Sequence, residues 1–338
     1  MSLLTALTER LFRLIPVLLG ITLIVFLFMH LTPGDPIEMM LGEAGGVTQA
    51  EIQRLRHEYG LDQPLPVQFA RFVTRALRGD LGLSFIHQRP VTQIIAEYLP
   101  ATMELTAVSL VGGLLLALPL GVATAMRRRS AWDTGGTLLA LLGISLPGFF
   151  FGILLILVFG MALEWLPVSG RIDYGVELHR ISGFYLLDSL LTLNGRAFVS
   201  ALQHLLLPAL AMGAWTAALT MRMTRASMLE VLRQDYIVFA RAKGLSEAAI
   251  AVRHALKNAL IPVVSVVGLQ MGALLGGNMV IEIVFSWPGL GRLCVEAIYA
   301  RNYPLVQGIV LLYAITFVFI NLVTDVLYTL LNPRVRLT

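Results

Sequence analysis

Lysine is nearly missing from this chain: its 338 residues include only Lys243 and Lys257, followed by glycine and asparagine. A phosphate-binding Gly-x-x-x-x-Gly-Lys-Ser/Thr loop needs a lysine next to a hydroxyl side chain, so that motif is excluded. Any ATP chemistry tied to this protein would therefore sit on another polypeptide, and no cofactor is expected here. Cysteine is scarcer still. Cys294 stands alone, which rules out an internal disulfide framework and a cysteine cluster for metal; a buried, small apolar role is expected for it. Charge is sparse as well, with 14% charged residues against 57% hydrophobic, where a soluble domain carries about 25% charged.

The apolar residues are gathered into long blocks. A run of roughly 18 or more such residues is long enough to cross a bilayer core of ~30 Å as a helix. Six segments meet that length: 11–31, 103–126, 134–163, 202–221, 260–283 and 305–331. The first follows Arg10 and Arg13 and ends at Thr32-Pro33-Gly34-Asp35-Pro36 without a small-x-small cleavage site, so it is expected to be an uncleaved anchor. Basic residues set the orientation. With the N-terminus inside, the inner segments hold Arg10, Arg13, Arg127, Arg128, Arg129, Arg222, Arg225, Arg233, Arg241, Lys243, Arg253, Lys257, Arg334 and Arg336, which is 14 of the 25 Lys and Arg residues. Asp35, Glu38, Glu43, Glu51, Glu58, Asp62, Asp80 and Glu97 all fall in the long stretch 32–100 on the other side. Both termini are thus expected inside. The net charge of +4 follows from this topology and does not mark a nucleic-acid site.

Two connections carry helix signals of their own. In the first, Thr48-Gln49-Ala50-Glu51 has the form of a capping box, Ile52, Leu55 and Tyr59 recur at helical spacing, and Gly60 stops the run. A second amphipathic stretch follows Pro66, with Phe69, Phe72, Val73, Ala76 and Leu77 on one side and an end at Gly79. It would lie along the membrane surface or form a small lid over the bundle. In the inner connection, about 222–258, two helical stretches, 227–243 and 246–257, are expected on either side of Gly244. Ser246 is the N-cap of the second and Glu247 lies in its first turn. Such a helix–turn–helix is either a docking element for a cytoplasmic partner or a solvated connector.

This inner segment carries a resemblance. Asp235-Tyr236-Ile237, Ala240-Arg241-Ala242-Lys243-Gly244-Leu245 and His254-Ala255-Leu256-Lys257-Asn258-Ala259-Leu260-Ile261-Pro262 resemble the cytoplasmic signature of the binding-protein-dependent permeases. The generic motif has Glu-Ala-Ala before the glycine; Val238-Phe239-Ala240 stands there instead, a variant similar to the peptide and nickel branch. Gly20-Ile21-Thr22, Leu31 through Pro36, Gly79-Asp80-Leu81-Gly82, Phe285 through Arg292 and Asp325 through Arg334 agree with that branch. The insert after Pro167-Val168-Ser169-Gly170-Arg171, with Ser182 through Ser189, is most similar to dipeptide permease subunits.

The resemblance implies an all-α integral membrane protein of the type I ABC importer permease fold, with six transmembrane helices, a large first periplasmic loop and a cytoplasmic coupling helix. Its implied divisions are an N-terminus and first helix (1–31), a periplasmic region (32–102), a five-helix core (103–331) with a coupling loop (222–258), and a cytoplasmic tail (332–338). It implies a non-catalytic subunit in a bacterial inner membrane, importing dipeptides or short peptides, with nickel, glutathione and longer oligopeptides as alternatives. The implied partners are a second homologous permease, two ATP-binding subunits that bind the ATP, a periplasmic solute-binding protein and membrane lipid. Tyr236, Ala240, Arg241, Ala242, Lys243, Gly244 and Leu245 would carry the coupling to ATP hydrolysis.

Beside the resemblance, Gly268, Gly272 and Gly276 repeat every four residues, as do Gly113, Ala117 and Gly121, and such repeats let helix backbones approach closely. Glu104, Glu282 and Asp325 fall near span ends, within reach of the interface; Gln270, Met271 and Asn278 are candidates to line a path. Two other classes compete. An intramembrane serine protease would use Ser145 and His204, but a Ser–His pair needs contact at about 3 Å. The rise of a helix instead puts them at depths differing by roughly 20 Å. A secondary transporter would need broken helices or mid-membrane carboxylates with internal symmetry, and no repeat is evident.

Overall fold

The computed structural model describes residues 3–31, 33–41, 48–277 and 279–331. Among these residues the secondary structure is helical, with one isolated bridge between Leu83 and Pro90 and no strand. Four helical runs are long and apolar enough to cross a membrane: Val91–Met126, Gly195–Val231, Glu247–Gly272 and Tyr303–Thr324. A fifth is reached if the bent pair Ala131–Ser145 and Gly148–Ala162 counts as one span, and the apolar stretch Ile15–Leu31 is shorter.

The bend is a departure from the unbroken segment expected over 134–163: the two halves meet at 108°. Pro147 is the reason. Its ring excludes the helical conformation for the residue before it, and Leu146 is extended at φ −87°, ψ 128°. Pro147 then starts the second helix, where its missing N–H is no loss.

The chain divides into two compact units, Met1–Thr102 with Pro288–Thr316, and Met103–Trp287 with Phe317–Thr338. The first holds α1 (Leu3–Leu31), α2 (Pro36–Leu41), α3 (Gln49–Tyr59), α4 (Leu65–Ala76), the beginning of α5 (Val91–Met126), α14 (Leu290–Tyr299) and the beginning of α15 (Tyr303–Leu331). At α3 the hydroxyl half of the capping box is present, Thr48 Oγ1 accepting from Glu51 N at 3.4 Å, and Gly60 ends the helix at φ 69°. The stretch after Pro66 is α4, none of whose side chains is buried. Distant segments are tied by polar contacts. Asn302, 1% exposed, donates to Ser84 Oγ at 2.6 Å and accepts from Phe85 N at 3.1 Å. Thr102 Oγ1 accepts from Leu290 N at 2.7 Å, and Arg56 pairs with Asp35. Cys294 is buried there among Leu290, Leu293 and Ala297.

The second unit contains the rest of α5, α6 (Ala131–Ser145), α7 (Gly148–Leu155, continuing as a π-helical stretch to Ala162), α8 (Tyr185–Leu191), α9 (Gly195–Val231), α10 (Asp235–Ala242), α11 (Glu247–Ala249), α12 (Leu256–Gly277), α13 (Met279–Val284) and the rest of α15. Its hub is α9, with 61% of its most apolar stretch buried against 28–33% for the other long helices. Small residues permit that burial. A Cβ on Gly213 would fall 2.7 Å from Ser109 O of α5, and one on Gly121 would meet Thr224 Cβ at 2.7 Å. Ala117 packs with Ala140, Ala218 and Met221.

Candidate functional site

The connection expected on the inner side, about 222–258, has different boundaries from those expected. Helix α9 runs on through Ser227 to Val231, and a turn at residues 232–234 separates it from α10, so 227–243 is not one helix. The break at Gly244 is where expected. Gly244 has φ 80°, Leu245 N donates to Ala240 O at 3.3 Å and Gly244 N to Arg241 O at 2.9 Å. This pair of bonds closes the last turn on a left-handed residue, a conformation that glycine takes without a side-chain penalty. Ser246 caps the next helix, its Oγ accepting from Ala249 N at 3.3 Å. Arg241 and Glu247 join the two pieces through paired bonds of 2.7 and 3.2 Å.

The connection has an inner and an outer face. Ile237 and Ala240 are buried with Ala125, Met228, Ile250, Ala251, Ala255 and Ala259, which seats α10 on α5, α9 and the start of α12. Tyr236, Val238, Phe239 and Leu245 point the other way, with Val238 57% and Phe239 62% exposed. The Tyr236 hydroxyl accepts from Asn258 Nδ2 at 2.7 Å, and the Lys243 ammonium sits 4.6 Å from the centre of the Phe239 ring. Arg241, Ala242 and Gly244 are also exposed. The structure therefore brings Tyr236, Arg241, Ala242, Lys243, Gly244 and Leu245 to one exposed element and turns Ala240 into its base. The result is an apolar ridge with basic flanks on a rigid two-helix support.

The glycines expected to pack helices lie elsewhere in this unit. A Cβ on Gly268 would collide with Thr324 of α15, and one on Gly272 would lie 2.8 Å from the Phe317 ring. The surroundings of Gly276, Asn278 and the Asp325 side chain lie outside the described residues. Met271 is 37% exposed, whereas Gln270 is 3% exposed.

A second polar cluster was missed by sequence reasoning. Glu104 does not reach water as expected: it is buried and pairs with Arg171 at 2.5 Å, their side chains being 4% and 7% exposed. Arg171 also donates to Gly183 O at 3.0 Å and stacks 3.7 Å from the centre of the Tyr185 ring, while the other Glu104 oxygen accepts from Leu186 N at 2.8 Å. Asp188 accepts from Ser182 Oγ at 2.6 Å and from the amides of Ser182 and Gly183 at 2.9 Å each. Burial pushes its carboxyl up, but the hydrogen bonds from Ser182, Gly183 and Ile181 outweigh that and hold it below the usual carboxylate range. The one available signal was an arginine in an acidic loop and a glutamate at a span end, with nothing local to join them. Glu282 is likewise fully buried. His204 uses Nδ1 on Ser200 O at 2.8 Å and turns Nε2 to Asp173 at 3.9 Å, so neither nitrogen serves Ser145.

Long apolar helices with an exposed apolar ridge on a capped connection describe a helical membrane protein with a surface for a partner, and comparison with known proteins gives its class. Residues 117–337 match the family described as binding-protein-dependent transport system inner membrane component, and residues 3–106 match the N-terminal region of such membrane components. The chain belongs to this family: it is a multi-pass permease component of an ATP-driven importer and a transport subunit rather than an enzyme. It is 43% identical over 333 residues to the di/tripeptide transport system permease protein DppB of Pseudomonas aeruginosa (strain UCBPP-PA14), covering 98% of this chain and 99% of the relative. It is 42% identical over 331 residues to the dipeptide transport system permease protein DppB of Escherichia coli (strain K12), covering 97% of each. It is 43% identical over 329 residues to the glutathione transport system permease protein GsiC of Salmonella paratyphi A (strain ATCC 9150 / SARB42), again covering 97% of each.

Proposed function

We propose that the protein forms half of the membrane path of a peptide importer and couples that path to ATP-binding subunits through α10. The observation that carries the peptide assignment is near-full-length similarity at 42–43% identity to permeases named for dipeptides, di/tripeptides and glutathione, itself a modified tripeptide. In this reading six spans, the first within α1, cross the inner membrane with both termini inside. The region 32–102 faces the periplasm and a solute-binding protein, and a second, homologous permease completes the pore. ATP is bound by two partner subunits. A path for peptides exceeds what six helices enclose alone, which favours the paired arrangement.

Coupling is assigned to Tyr236, Arg241, Ala242, Lys243, Gly244 and Leu245, with Ala240 at the base. Val238 and Phe239 supply the exposed apolar surface that a cleft on an ATP-binding subunit would cover, and depletion of charge at such a core is what a protein interface requires. The Arg241–Glu247 link and the seat of Ile237 on α5 and α9 let force applied at the ridge reach those long helices as a unit. The test is purification of the full complex with the wild-type chain and with a 236–245 deletion. ATP-binding proteins and a second permease should accompany only the wild type, while the variant still inserts. Co-purification with both would remove the docking assignment. The glutathione reading rests on equal identity to a glutathione permease; glutathione competing with dialanine for uptake at equal concentration would favour it.

A further inference from the structure

Threonine hydroxyls inside the helices of this chain are generally satisfied by their own helix. Thr22, Thr124, Thr224, Thr316 and Thr324 each donate to the carbonyl four residues earlier at 2.8 Å. Thr216 and Thr220 of α9 do not. Both are fully buried, and among the described residues neither hydroxyl has a partner. They are one helical turn apart, hence on one face. Gln270 of α12 is 3% exposed, and its amide nitrogen and oxygen are both unpartnered. Helix α12 packs against α9, and Gln270 points away from α15. Gly268 and Gly272, which meet Thr324 and Phe317, are each two residues from it, or about 200° around the helix. Depth agrees too. Met228 and Ala259 share the buried cluster where the two helices turn back on each other. Counting 1.5 Å per residue from there, Thr220 and Thr216 lie ~12 and ~18 Å in, and Gln270 ~16 Å.

Three neutral polar groups thus lie at similar depth on two helices that pack together, α9 and α12, with their hydrogen bonds unspent. Valine or leucine would fill the same space without that cost, which is greatest where no water competes. We infer that Thr216, Thr220 and Gln270 hold the backbone of the transported peptide when α9 and α12 separate, and that this conformation has the step closed. Hydroxyls and a carboxamide offer donors and acceptors without net charge, so they match the N–H and C=O common to all short peptides. They would grip the backbone and release it without selecting side chains. The inference rests on the peptide-import reading.

The test uses the assembled transporter in proteoliposomes, with its ATP-binding subunits and binding protein, and follows uptake of radiolabelled dialanine beside ATP hydrolysis. Thr216→Val, Thr220→Val and Gln270→Leu combined should cut uptake tenfold or more. ATP hydrolysis should stay within twofold, and the unfolding midpoint should stay equal or rise. Thr124→Val and Thr316→Val, whose hydroxyls are already engaged, should import normally, as should Thr216→Ser. Normal uptake by the triple variant would overturn the inference. So would an equal fall in uptake and ATP hydrolysis, which would assign the groups to the helix movement itself. If the triple variant does not assemble, Gln270→Leu alone is judged on the same two readouts. A wild-type complex that hydrolyses ATP yet leaves dialanine outside would overturn the peptide reading and this inference with it.

Discussion

The second unit carries two long connections, residues 164–194 and 232–255, that use polar residues in opposite ways. In the first, some charge is turned inward: Arg171 and Glu104 are buried together and Asp188 gathers the amides around it, while Glu164, Asp173, Glu177 and Arg180 stay exposed. In the second, charge stays near water, with the Arg241 and Glu247 side chains 42% and 55% exposed, while Val238 and Phe239 are turned outward. The Arg171–Glu104 pair and the amides around Asp188 tie separate stretches of backbone together, although Arg171 Nε has no partner among the described residues. Both connections show apolar side chains outward, among them Trp165, Ile181 and Leu193 in the first and Val238 and Phe239 in the second. What separates the two is buried charge, which the first connection has at Arg171 and Asp188 and the second lacks, and not exposed apolar area.

Removing Glu104 is the strongest way to break the comparison. Glu104→Ala leaves Arg171 charged, buried and short of a partner, so a loss of ~3–5 kcal/mol is expected. Thermal unfolding of the detergent-purified chain would show it, and a loss near that of an exposed pair would mean the clasp is held by other bonds. Asp188 comes next. Asp188→Asn keeps the shape but weakens the acceptor set, for an expected cost of about 1–3 kcal/mol at neutral pH. The pH dependence has a definite sign. The folded carboxyl is held below its ordinary value, so its contribution is complete above the unfolded pKa of about 3.9 and is lost as pH falls through the folded pKa. The gap between wild type and Asp188→Asn should therefore be flat at neutral pH and close only in acid. A gap that closed between pH 6 and 7 would exclude Asp188 as its source. The smallest effect belongs to the other loop: Arg241→Ala should cost at most ~1 kcal/mol, and less in high salt, because the pair is exposed. Unfolding midpoints at two ionic strengths would check this.

Much of the connection 222–258 was legible beforehand because its signals are local. Gly244 breaks the helix and Ser246 caps the next one through atoms within five residues of themselves, so residue type alone locates them. The join at residues 232–234 was not legible, since the apolar residues on both sides continue one helical pattern. Nor was the 108° bend read, although Pro147 sat within the sequence; proline is tolerated inside α9 and α12 at Pro208 and Pro262. Pairing was the larger gap. Glu104 and Arg171 are 67 positions apart, and no periodicity links them.

The sequence by itself determined that this is a helical membrane protein without a phosphate loop, and that the connection 222–258 breaks at Gly244. Those properties depend on run length, residue type and contacts within one turn of helix. Only the tertiary structure decided which charges are buried together, which face of α10 is left open, and that Thr216, Thr220 and Gln270 keep their hydrogen bonds unspent. Each of these depends on which helix faces lie against one another, and side chains far apart in sequence acquire partners, or lack them, only once the helices have packed.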